Sequence, residues 1–104
     1  MKLYAFKMHL KPGAEAEYQR RHDHIWPELA ALLRGAGVSD YSIFLDAETL
    51  TLFAVMKLAD DHRLGELSKH PVMRKWWNFM TDLMTTNPDR SPKVTDLKQL
   101  FHLP

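Results

Sequence analysis

The segment KLYAFKMHL, Lys2 to Leu10, alternates along its whole length, yet neither of its two faces is wholly polar. Successive strand residues point to opposite sides, so Tyr4, Phe6, Met8 and Leu10 share one face. Leu3, Ala5, Lys7 and His9 share the other. A sheet built from such strands needs cover on both sides, because an antiparallel sheet with one wet face carries polar residues there. Two more segments behave alike. In VSDYSIFLD, Tyr41, Ile43 and Leu45 oppose Ser42 and Phe44, and the turn-like DAET leads on into LTLFAVMKL. These two strands read as a hairpin.

Helical stretches lie between the strands. EYQRRHDHIWPELAALL, Glu17 to Leu33, begins as a helix, is interrupted at Ile25-Trp26-Pro27, and is closed by Gly35 and Gly37. A residue before proline is steered out of helical geometry, so Trp26 marks a bend. Pro27 suits the first turn of a second helix, PELAALLRG. After the third strand, DDHRLGELSKHP reads as a short helix ending near Pro71, and VMRKWWNFMTDLM as a longer one. The loop TTNPDRSP follows. The tail VTDLKQLFHLP reads as a short helix or a last strand, and is taken as a strand. The order is therefore β-α-β-β-α-β, the ferredoxin-like arrangement, an α+β fold with helices on one face of an antiparallel sheet. The uncovered face predicts a homodimer in which two sheets pack together.

With 104 residues the chain fits one domain, residues 1–104. A net charge of +1 with interspersed signs argues against a nucleic-acid footprint, an anionic lipid surface and, more weakly, a phosphorylated substrate. Apolar runs are too short to cross a bilayer. Cysteine is absent, which removes thiol and disulfide chemistry. The N-terminus has no long apolar core of an export signal, so the cytoplasm is the expected compartment. Nucleophilic triads, phosphate loops, dinucleotide fingerprints and metal motifs are all missing.

Two features carry chemistry. Tyr18 and His22 are one turn apart and about 40° apart around a helix axis, so they share a face. His24 does not share it, and HDH in a helix is no chelate. Histidines at 9, 62, 70 and 102 show no ligand spacing and read as surface, and Arg20 and Arg21 pair with Glu15 and Glu17 or are solvated. Adjacent Trp76 and Trp77 point about 100° apart, which sends one indole to the core and the other to a groove or an interface. Flat aromatic faces stack on the C–H faces of sugars while polar neighbours fix orientation. A tyrosine-histidine face beside tryptophans thus suits a neutral polyhydroxylated ring.

The blocks EYQRRHDHIWPEL, YSIFLD, KWWNFMTDLM, NPDRSP and LFHLP, in this order, resemble the L-rhamnose mutarotase family nearly end to end. The resemblance implies a homodimeric α+β barrel enzyme that interconverts the α and β anomers of L-rhamnose without a cofactor or metal. It implies His22 as the acid that protonates the sugar, and Tyr18, Tyr41, Trp76 and Trp77 as substrate contacts. His24 has no matching role. The second proton carrier is left open among Tyr18, an aspartate such as Asp82, and water. Two rivals are a haem-degrading or cofactor-free monooxygenase of the same dimeric fold and a non-catalytic sugar-binding module.

Overall fold

A computed structural model of the chain describes residues 1–104. Its elements run β1 (Lys2–His9), α1 (Glu15–Asp23), α2 (Pro27–Gly35), β2 (Val38–Asp46), β3 (Thr51–Leu58), a 3-10 turn (Leu64–Lys69), α3 (Pro71–Met80) and β4 (Thr95–Asp96). The strands form one antiparallel sheet in the order β2-β3-β1-β4, with the hairpin β2–β3 on one side of β1. That is the ferredoxin-like order the alternation predicts.

Burial separates the two faces of the sheet. On β1 and β3 the facing pairs Phe6–Ala54 and Met8–Leu52 are buried, as is Met56 opposite Tyr4. The helices cover this side with Tyr18, Leu29, Met73, Trp76 and Met80. The other side carries Leu3, Phe44 and Phe53, which stay 43%, 63% and 39% exposed. Sheet and helices therefore leave one apolar face open to solvent.

The bend falls where the sequence places it. Trp26 is extended (φ −61, ψ 130) and caps α2, with Pro27 in the first turn. Its indole turns inward, 5.1 Å from Trp76 and 5.6 Å from Phe79 between ring centroids. Of the two glycines that close the helical stretch, Gly37 makes the stop. It has φ +91, its N–H donates to Arg34 O, and its position leaves only 3.0 Å between an added Cβ and His62 Cα.

Strand β2 contains a bulge. Ser39 pairs with Lys57 and Ser42 with Val55, so β2 holds one residue more than β3 between these points. Asp40, at φ 45, takes up the irregularity. The extra residue restores the alternation that points Tyr41, Ile43 and Leu45 to the helical side while Val38 is also buried there.

Two elements are shorter than the sequence suggests. The helix expected to reach Met84 ends at Met80, because the chain after it turns to the end of β1. Lys11 N–H donates to Leu83 O and Thr85 N–H to His9 O. The expected last strand has only Thr95–Asp96 in regular pairing, opposite Lys7 and Phe6. Leu97 N–H still donates to Ala5 O, after which the tail runs without a ladder partner, and Leu100, Phe101 and Leu103 are exposed.

Gly37→Ala is the sharpest test of this packing. A side chain there must adopt positive φ and push on the backbone of His62. Urea unfolding is expected to show a loss of about 1–3 kcal/mol.

Candidate active site

The concave side of the sheet and the helices above it enclose an open cavity of about 1410 Å³. Tyr18 and His22 enter it from α1, Tyr41 from the bulged strand, and Trp76 and Trp77 from α3. All five side chains singled out in the sequence thus meet at one cavity. His24 does not line it and stands exposed at the end of α1.

His22 is held on three sides. Its ring stacks on Tyr18 at 4.4 Å between centroids and meets Trp76 edge-on at 5.4 Å and 89°. Its Nδ1 lies 3.0 Å from the carbonyl oxygen of Tyr18. A carbonyl only accepts, so Nδ1 carries a proton and donates. In the neutral ring the lone pair is then on Nε2, which has no protein partner and is not sealed from solvent. Burial lowers the His22 pKa below the ordinary histidine value, against the opposing pull of the Tyr18 carbonyl. The same local hydrogen bond, Nδ1 to Arg20 O at 3.0 Å, occurs in His24. Burial and neighbours separate the two histidines, not the hydrogen bond.

The phenols stay protonated. Desolvation raises the Tyr18 pKa far above its usual value, and Tyr41 adds to the effect. Tyr41 is pushed up to about 12 by burial around its oxygen, although its ring is partly exposed at the cavity mouth, and Tyr4 contributes. Neither hydroxyl has a protein hydrogen-bond partner, so both can donate to a guest in the cavity.

The two tryptophans divide as helical phase predicts. Trp76 is buried and packed edge-on against Trp26 at 86°. Trp77 is only half-buried on the same cavity.

The remaining candidates sort differently. Asp82, left open in the sequence as a proton carrier, is bound to Arg21 at 2.9 Å, is well exposed, and does not line the cavity. Arg21 holds its carboxyl below the usual carboxylate range. It has neither the place nor the protonation for that role. His62 and His70 accept backbone N–H groups of Leu64 and Val72 and so cap the 3-10 turn and α3. No three His, Asp or Glu side chains converge as a metal ion requires.

Two features of the wall were not singled out in the sequence. Tyr4 lines the cavity and donates to Asp96 at 2.6 Å, tying β1 to β4, and this lifts its pKa to about 12 behind the larger effect of burial. Its place on the face of Phe6 and Met8 was the available signal. The turn Thr86–Ser91 forms a polar rim, pinned by Asn87 N–H to Ser91 O at 2.8 Å and by the hydroxyls of Thr81 and Thr86 at 2.7 Å. The NPDRSP block is that turn.

The chain that folds into this one-sided α+β sheet, with an imidazole, phenols and indoles at one cavity, is similar to known proteins over nearly its full length. The L-rhamnose mutarotase family model covers residues 3–103. The L-rhamnose mutarotase of Rhizobium etli is 59% identical over 101 residues, 97% of this chain and 95% of that protein. The one from Rhizobium meliloti is 59% identical over 103 residues, 99% of both chains. The crystal structure of an L-rhamnose mutarotase from Formosa agariphila superposes with a TM-score of 0.93 at 45% identity, covering 100% of each chain. The chain belongs to the L-rhamnose mutarotase family.

The indoles are expected to differ in their weight for the fold. Trp76→Ala opens a core void and should cost about 3–5 kcal/mol in urea unfolding. Trp77→Ala should cost less than half as much, since Trp77 is only partly buried.

Proposed function

We propose that this chain interconverts the α and β anomers of L-rhamnose, with His22 as the catalytic residue and Tyr18, Tyr41, Trp76 and Trp77 as the substrate contacts. The observation that carries this reading is the state of His22: its Nδ1 is fixed on a carbonyl and its Nε2 is unpartnered and accessible, on a residue that lines the cavity, in a member of a mutarotase family.

The chemistry follows from that nitrogen. Opening a pyranose removes the proton of the anomeric hydroxyl, breaks the bond from C1 to the ring oxygen, and puts a proton on that oxygen. Neutral His22 takes the hydroxyl proton at Nε2. As the C1–O bond breaks, the resulting imidazolium returns that proton to the ring oxygen. Both oxygens are bonded to C1, so one nitrogen reaches both. Rotation about C1–C2 turns the aldehyde over, and closure repeats the two transfers in reverse. His22 is thus the acid the resemblance implies, but it rests as a base, because burial keeps the imidazole neutral. The phenols, held protonated, donate hydrogen bonds to sugar oxygens and do not compete as bases. At least one indole, with Trp77 the more exposed of the two, packs its face on the C–H side of the ring.

His22→Ala is expected to slow anomer exchange by about 10²-fold or more, the scale of general acid–base catalysis, with rhamnose binding affected much less. His24→Ala should stay near the wild-type rate. The measure is saturation transfer between the two anomeric proton signals of L-rhamnose, less the spontaneous rate. Burial disfavours the charged ring, so the wild-type rate should fall toward acid with a midpoint below 6.5 and be level from neutrality upward. Wild-type exchange in a folded His22→Ala protein would remove the mechanism. Binding without exchange in the wild type would make the chain a sugar-binding module.

The homodimer belongs to the same reading. The open sheet face with Leu3, Phe44 and Phe53, and the exposed tail residues Leu100, Phe101 and Leu103, support a second copy as their cover. No helix is long and apolar enough to cross a membrane, and we place the activity in the cytoplasm with sugar metabolism. Sedimentation is expected to give twice the 12.2 kDa chain mass at micromolar concentration. Phe44→Lys should shift the protein toward the monomer, and a stable wild-type monomer would refute the pairing.

A further inference from the structure

The proposed reaction draws on two helices that hold each other by few direct contacts. Tyr18 and His22 come from α1, and Trp76 and Trp77 from α3. Only Tyr18 of the nine residues in α1 is buried, so little apolar surface fixes that helix. We propose that Arg21 is a positioning residue that ties α1 to the end of α3 and so sets the His22 ring against Trp76. This rests on the reading of His22 given above.

Arg21 is unlike its neighbour Arg20. Its side chain is 11% exposed, against 61% for Arg20. Nε donates to Glu17 Oε2 at 2.7 Å on its own helix. Nη1 donates to the carbonyl oxygen of Phe79 at 2.6 Å and to Asp82 Oδ1 at 2.9 Å, and Nη2 to Asp82 Oδ2 at 3.1 Å. The Phe79 carbonyl belongs to the last turn of α3, where no N–H within the helix can reach it. The guanidinium therefore caps α3 from α1 while gripping the carboxylate just beyond it. Its plane also stands 4.3 Å over the Phe79 ring.

These contacts close a circuit. Phe79 touches Trp76 at 5.8 Å between centroids, Trp76 meets His22 at 5.4 Å, and His22 follows Arg21 in the chain. A shift of α1 along α3 must break the fork, the stacking and the edge contact together. Only a planar donor can serve two carboxylates, a carbonyl and a ring face at once, which an ammonium cannot do. Rate is sensitive to such geometry, since a misplacement of about 1 Å can lower it by about 10²-fold.

The test uses the full chain carrying Arg21→Lys, with Asp82→Ala as a second variant that touches only an exposed carboxylate. Thermal unfolding, the His22 ring-proton resonances, kcat and KM for L-rhamnose are measured on each. The Trp76 ring current makes the His22 resonances a gauge of ring placement. Expected are folded proteins with displaced His22 resonances. In Arg21→Lys, kcat should fall at least about tenfold with KM within about threefold, and Asp82→Ala should show a smaller fall in the same direction. A folded Arg21→Lys protein with His22 resonances and kcat as in wild type overturns the proposal. So does lowered thermal stability with both unmoved, which is a merely structural role. If Arg21→Lys does not fold, Asp82→Ala decides by the same criteria. Should the wild type itself leave exchange at the spontaneous rate, the functional reading fails, and the His22 resonances still report whether Arg21 places the ring.

Discussion

The buried indole of Trp76 is the point on which the site's geometry turns. It meets His22 edge-on from α1, Trp26 edge-on from the bend between α1 and α2, and Phe79 from its own helix. Edge-to-face contacts of this kind add about 0.5–1.5 kcal/mol each beyond area burial, and they fix angles as well as distances. The end of α1 and the bend that follows it are thereby held to the distant α3 in one orientation about a single ring. The Pro27 bend makes sense in this light. A continuous helix would carry Trp26 past Trp76, whereas the extended residue before proline turns it inward behind the cavity wall.

That packing sets the protonation of the site. An imidazole between a phenol and an indole is desolvated, and its charged form is disfavoured. A fully buried histidine would be inert, and a fully exposed one would not be oriented. His22 lies between these limits: one nitrogen is anchored to the helix backbone and the other is reachable. Exposed His24, with the same anchor and no aromatic walls, shows that helical placement alone does not create this environment.

Much of the fold was legible because its signals are local. Period-two alternation marked β1, β2 and β3, and Pro27 and Gly37 marked the helix limits. Tyr18 and His22 shared a face by spacing, and the division of Trp76 from Trp77 followed from helical phase. What was not legible depends on distant partners. Arg21 looked like an ordinary helix-surface charge because its nearest sequence partner is Glu17. Its fork to Asp82 spans 61 positions. The same contact explains why Asp82 was a poor candidate for proton transfer. The bulge at Asp40 escaped notice because the alternation after it is regular, and only the cross-strand register reveals the extra residue. The tail, which suited a short helix or a strand, was taken as a strand, but a strand also needs an edge to pair with, and β1 offers β4 only two positions.

The two sides of the sheet express a division of labour that one chain alone does not complete. Its helical side spends apolar residues on a cavity, so Tyr41, Tyr18 and the indoles line open space instead of closing a solid core. Its other side leaves Phe44 and Phe53 in water. A domain of this size gains little stability to spare from burial, so a wide cavity and a wet apolar face are hard to sustain together. Pairing of sheet faces in the proposed dimer removes the second burden. It stiffens the floor of the cavity from below, while the Arg21 clamp stiffens its wall from above. On this view the dimer face and the proposed active site are coupled through the strands they share: Phe44 and Ile43 are neighbours on β2, and strand alternation turns them to opposite sides of the same sheet.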